Sequence, residues 1–263
     1  MTRTITVLYD NSGIVNRTIG LSLAMVAACN GPQHREPTPP PRPVAVTAVT
    51  ALDAALAPAD APPPDAGLAV IDAPIRWSAE REQLTLAYRR RHSDPDALDL
   101  AIVPRVIVVH YTSGSSAKAT RAYFDHVRIE AERVQLARGG AVNVSAHFLV
   151  DRDGTIYRLQ PETRYARHCI GLNHAAIGIE NVGDEADHPL TNAQVDADAA
   201  LVRDLAARFP ITHLLGHYEV MKFRGNPLFV ELDPAYNNDK PDPGARFMAL
   251  VRARVADLHL RGL

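Results

Sequence analysis

The sequence predicts an α/β fold, a central mixed β-sheet flanked by helices, and three observations carry the prediction. Val106-Ile107-Val108-Val109 is an unbroken aliphatic run, as suits a central strand covered on both faces. Residues 144–159, VSAHFLVDRDGTIYRL, read as two strands joined at Asp153-Gly154, a strong hairpin signal. Between such strands lie segments with helical apolar spacing, and that order of elements builds a mixed sheet packed by helices.

Taken from the start, Arg3 and Arg17 precede an apolar run from Ile19 to Cys29. A spanning helix needs roughly 20 apolar residues, so this run fits the core of a secretory signal instead. Its ending, Val26-Ala27-Ala28-Cys29, resembles the lipobox of bacterial lipoproteins. That resemblance implies a signal peptide over 1–28 and a lipidated Cys29 that anchors the protein to a membrane. With Asn30 next, it implies an exported protein at the periplasmic face of the outer membrane. Residues 29–75 contain more than half of the 20 prolines and show no sustained period of 2 or 3.6. Such a segment cannot bury enough apolar area to offset its ordering entropy, so it is expected to be a disordered tether. The folded domain is expected over 76–263.

Within that domain, Ser78 is a plausible N-cap for a helix through 92, and Arg89-Arg90-Arg91 at its end reads as a solvated face. A strand over 106–112 follows. Ala122, Tyr123, Val127, Ile129, Val134 and Leu136 then suggest one helix, stopped by Gly139-Gly140. After the hairpin comes a short strand at 175–182. Thr191 to Gln194 form a capping box, with Val195, Val202, Leu205 and Phe209 repeating behind it at helical spacing. Residues 211–217 make another strand. The last helix follows Gly244, with Phe247, Leu250, Val251, Val255 and Leu258 on its inner face.

The formal charge of −2, with no basic stripe, gives no case for nucleic-acid binding. Only two cysteines are present, and if Cys29 carries lipid then Cys169 is a lone thiol. Two of the buried-type strands end in histidine, His110 and His217, and DKPDPG at 239–244 supplies Asp239, Lys240 and Asp242. Two imidazoles and one carboxylate make a zinc site with a position left open for water.

VIVVHYT, SAHFLVDRDGTIYRL, RHCIGLNHAAIGIENVG, LLGHYEV and KPDPGARF occur in the order seen in type 2 N-acetylmuramoyl-L-alanine amidases. These zinc hydrolases are related to phage T7 lysozyme and the peptidoglycan recognition proteins, and the resemblance covers about residues 100–250. It implies an amidase or recognition-protein-like fold, with zinc held by His110, His217 and Asp242. It implies Glu180 and Lys240 as catalytic groups, Asn173 as a substrate contact, and His147 and His168 as substrate contacts or hydrogen-bond partners of the metal ligands, with a buried histidine satisfied by backbone as the alternative for His147. The substrate would be the amide between N-acetylmuramic acid and L-alanine in peptidoglycan or its fragments, and the expected state is a monomer. A non-catalytic peptidoglycan-binding module of the same fold is the alternative.

The chemistry agrees. Zinc lowers the pKa of a bound water from 15.7 to about 7, which an amide requires of its nucleophile near neutral pH. Glu180 could take the water's proton and pass it to the departing amine. Lys240 would face the oxygen that becomes negative. Relatives of T7 lysozyme place a tyrosine where this chain has Ala146, so the proton-transfer role falls to Glu180. Tyr111 and Thr112 are expected on the cleft wall. Residues 218–238 are expected to loop over the cleft, with Phe223, Phe229 and Tyr236 available for sugar stacking or for packing. A Cys169–His168 nucleophile pair is disfavoured, because neighbours on an extended chain point apart.

Overall fold

The computed structural model describes residues 67–263. The predicted signal, Cys29 and the tether up to residue 66 lie outside the described residues. In chain order the elements are β1 (Val70–Asp72), α1 (Ala79–His92), β2 (Val106–Tyr111), α2 (Ala117–Asp125) and α3 (Val134–Gly139). Then come β3 (Phe148–Val150), β4 (Ile156–Arg158), β5 (Ala176–Asn181), α4 (Asn192–Arg208), β6 (His213–Gly216), α5 (His217–Val220) and α6 (Ala245–Arg254). The six strands form one sheet in the order β1-β4-β3-β5-β2-β6. Strands β3, β5, β2 and β6 run parallel, while β4 turns back antiparallel to β3 and β1 lies parallel to β4. The mixed α/β architecture expected from the sequence is therefore present.

Alternation along β2 explains its aliphatic run. Ile107 and Val109 point to one face, into a core completed by Leu201, Val202 and Leu205 of α4 and Met248 and Val251 of α6. Val106 and Val108 point to the other face, against Leu172, Leu215, Val220 and Phe223. All four are fully buried, and each contributes about 1.5–3 kcal/mol by leaving water. By the same alternation His110 belongs to the second face, opposite α4 and α6.

Local signals hold where they are strongest. The Ser78 side chain accepts the Arg81 amide at the start of α1. Thr191 and Gln194 cap α4 reciprocally, and the Gln194 amide also donates to the carbonyls of Val150 and Val182, tying α4 to the ends of β3 and β5. Gly154, at φ +89°, makes the turn between β3 and β4.

Three expectations are corrected. Instead of one helix over 116–139 there are two, because residues 127–129 pair with 141–143: the Ile129 amide donates to Ala141 and the Asn143 amide to Val127. The Arg81 guanidinium, fully buried, donates to the Phe124 and His126 carbonyls at the end of α2 and fixes the break. The tether boundary also moves. Val70–Asp72 form a parallel ladder on β4, and Leu68 and Val70 pack against the α4 side of the core. Two apolar side chains in a Pro- and Ala-rich context sufficed to recruit an edge strand. Arg89 and Arg90 are likewise not simply solvated, since they donate to the Ala101 and Ala97 carbonyls and hold the 97–101 segment. Among the described residues no helix is long and apolar enough to cross a membrane.

Candidate metal centre and cleft

The site begins with strand register. His110 of β2 lies opposite Glu180 of β5, and on the other side Val109 lies opposite Gly216 of β6, so His217 follows one position on. Neighbouring strands are about 4.8 Å apart. His217, His110 and Glu180 thus make a row across the ends of three parallel strands, on the face away from α4. Asp242 joins from the segment before α6, where its carbonyl accepts the Tyr218 amide at 2.9 Å.

Three potential ligand atoms converge there. His110 Nδ1 is 2.9 Å from His217 Nδ1. Asp242 Oδ2 is 3.0 Å from His217 Nδ1 and 3.3 Å from His110 Nδ1. Donors about 2.0–2.1 Å from a tetrahedral zinc sit roughly 3.3 Å apart, so the triangle has the right size. One ring nitrogen carries at most one proton, yet His217 Nδ1 faces both a nitrogen and a carboxylate oxygen. A shared cation satisfies such a triangle better than hydrogen bonds do, and the nitrogen and oxygen donor set suits zinc.

Electrostatics reinforce the geometry. Burial opposes ionisation of Asp242, but hydrogen bonds and charge from His110 and His217 outweigh it and hold the carboxyl well below its usual range. Burial, with the neighbouring His217, lowers His110 to about 4, keeping it neutral as a ligand must be. Burial first, then the Asp242 charge, pushes the Glu180 carboxyl well above its usual range, against the opposing charges of Lys240 and Arg133. Glu180 Oε2 is buried and has no hydrogen-bond partner among the described residues.

The row opens into a cleft of about 470 Å³, lined by His110, His168, Glu180, His217, Lys240 and Asp242 together with Tyr111 and Thr112. The opposite wall carries Tyr123, Arg133 and Tyr236. Arg133 donates to the Tyr123 hydroxyl. Arg167 braces this wall by donating to Leu136, Gly140, Val142 and the Tyr236 hydroxyl. Arg133 and Tyr123 were not expected at the site; they fall in the segment read as one continuous helix, where nothing in the spacing marks a cleft.

Several expected substrate contacts are elsewhere. His147 is fully buried, one layer below the cleft, with Nε2 on the Arg164 carbonyl and Nδ1 accepting the Gly178 amide. Asn173 is also buried, its Oδ1 accepting the amides of His168 and Cys169. Neither lines the cleft, and both are backbone braces. His168 does reach the cleft, but its ring nitrogens are engaged with His110 and Ala176. Phe223 belongs to the core and Phe229 packs beside it, so of the three loop aromatics only Tyr236 lines the cleft. Cys169 is a buried free thiol, raised by burial and so unsuited to attack.

The family profile described as N-acetylmuramoyl-L-alanine amidase matches residues 101–245, more than half of the chain, a span that contains His110, Glu180, His217, Lys240 and Asp242. The endolysin of Escherichia phage T7 is 33% identical over 86 residues, covering 31% of this chain and 57% of the endolysin. Peptidoglycan-recognition protein SC2 of Drosophila simulans is 26% identical over 116 residues, covering 43% of this chain and 62% of that protein. The alignments thus span less than two thirds of the length of these curated relatives. Among solved structures, the amidase LysCS from Clostridium intestinale aligns with a TM-score of 0.45 at 21% identity, covering 72% of this chain and 95% of that one.

Proposed function

The chain belongs to the N-acetylmuramoyl-L-alanine amidase family, and from that premise we propose that it is a zinc hydrolase of peptidoglycan. It cuts the amide between N-acetylmuramic acid and L-alanine in the wall or in fragments of it. The observation that carries the proposal is the His110–His217–Asp242 triangle with Glu180 in register beside it.

His110 Nδ1, His217 Nδ1 and Asp242 Oδ2 would hold the ion. Bound zinc supplies Lewis acidity that makes water an adequate nucleophile for an amide near neutral pH. Glu180, with an unpartnered carboxyl oxygen, takes a proton from the attacking water and delivers it to the departing nitrogen. Lys240 lines the same cleft and sets a positive charge toward the oxygen that becomes anionic. Arg133 offers the lining a cation for the peptide, while Tyr236, packed against Tyr88 and His92, shapes the cleft.

Mass spectrometry of muropeptides, after incubation with the full chain with and without a chelator, tests this. Free stem peptide and free sugar, formed only without chelator, are expected. Tight binding to sacculi with no turnover would favour the non-catalytic module, which the recognition-protein relatives keep in view. Export and acylation of Cys29 belong to the same proposal, with the outer membrane as the site of action, and incorporation of labelled fatty acid that Cys29→Ser abolishes is the expected outcome.

A further inference from the structure

We propose that His168 is a positioning residue that sets the tautomer of His110 and so presents His110 Nδ1 to the metal. The inference rests on the zinc reading above and extends it to a residue that touches no ligand position.

Three groups in a chain fix where the protons reside. The Ala176 carbonyl can only accept, so His168 Nε2, 3.3 Å away, carries the proton. In a neutral imidazole the other nitrogen then has a lone pair, and His168 Nδ1 lies 3.1 Å from His110 Nε2. Acceptance there requires the proton of His110 to reside on Nε2. When a metal takes the place of the proton that His110 Nδ1 shares with Asp242, Nδ1 keeps its lone pair toward the ion, the state a ligand needs, and Nε2–H donates to His168.

The surroundings hold His168 in place for this task. Its ring stands edge-on to His110, with centroids 5.2 Å apart and planes at 86°. Its amide is fixed by Asn173 Oδ1 at 2.9 Å. Gly178, in the middle of β5, provides the slot: a Cβ there would lie 2.8 Å from His168 Cγ and Nδ1. A glycine inside a strand weakens the strand and often marks close approach by another group; here that group is an imidazole.

Zinc affinity of the full chain, measured by competition with a chromophoric chelator, is the test. His168→Leu is expected to bind zinc about 10–100-fold more weakly than wild type. Gly178→Ala, which crowds the ring without touching the metal, is expected to weaken binding in the same sense. His168→Gln offers an acceptor and a donor at similar spacing and is expected to recover most of the affinity. Independently of any variant, long-range proton–nitrogen NMR of the zinc-loaded protein is expected to show His110 and His168 both protonated on Nε2. Equal zinc affinity in wild type and His168→Leu, or a proton on Nδ1 of either ring, overturns the inference while leaving the zinc reading intact. A wild-type chain that binds no zinc overturns both.

Discussion

Replacing Glu180 with Gln keeps the side chain's size but removes its capacity to take a proton. Turnover is expected to fall by roughly 10²–10⁴-fold with zinc content unchanged, as read by metal analysis beside product formation. Lys240→Ala is expected to lower turnover by about 10²–10³-fold, again with zinc retained. His217→Ala should lose metal and activity together, and a metal-free Lys240→Ala would break the assigned division of labour. At this scale the sequence was informative where a polar residue interrupts a strong pattern. His110 lies at the end of β2, His217 directly follows β6 as the first residue of α5 rather than ending the strand predicted over 211–217, and Asp242 sits between prolines. It was less informative about depth. His147 lies on the correct face of the sheet, but its amide donates to Gly178, one layer below the row that holds Glu180. A period of 2 specifies the face of a strand and not the distance from the rim.

Among the elements, α4 carries the clearest pH signature. Asp198, fully buried in α4, accepts one hydrogen bond from Asn181 of β5, and burial raises its carboxyl to about 7. The unfolded chain releases this proton near pH 4, whereas the folded chain keeps it. The contribution of Asp198 to stability is thus fully present below pH 4 and is lost as pH rises toward 7, by up to about 4 kcal/mol. Urea unfolding of wild type and Asp198→Asn at pH 5 and pH 8 checks this. The variant is expected to gain on the wild type at pH 8, and parallel pH profiles would refute the assignment. Elements with caps were legible, including the Ser78 and Thr191 starts. The break between α2 and α3 was not, because it depends on backbone pairing between residues 127–129 and 141–143 and on a guanidinium from α1. Apolar spacing alone reads straight through it. Strand β1 escaped notice for a related reason: three residues offer too short a pattern to stand out from a Pro-rich context, and only the ladder on β4 defines them.

Across the whole molecule, the three metal-ligand candidates join β2, the start of α5 and the segment before α6, residues far apart in sequence. The unfolded chain cannot bring them together, so zinc should stabilise the native state by mass action. At 100 times its dissociation constant the gain is about 2.7 kcal/mol, which for a domain of this size raises Tm by roughly 5–10 °C. Thermal unfolding with zinc and with a chelator measures it, and no shift would mean that these side chains do not share an ion. Fold class was readable at this scale because alternation, hairpin and caps agree with one another. The far wall of the cleft was not, since Arg167 assembles it from α3, residues 140–142 and Tyr236, contacts that no short window of sequence contains.

The ladders also fix where the polypeptide enters the domain. Val70 pairs with Ile156, Ile156 with Val150, Val150 with Asn181, and Asn181 with Tyr111, which adjoins His110. The incoming chain is therefore level with the mouth of the cleft and offset sideways by four strand spacings, about 19 Å. Strand β1 therefore starts on the same rim of the sheet that carries His110 and Glu180, and runs from there away from the cleft.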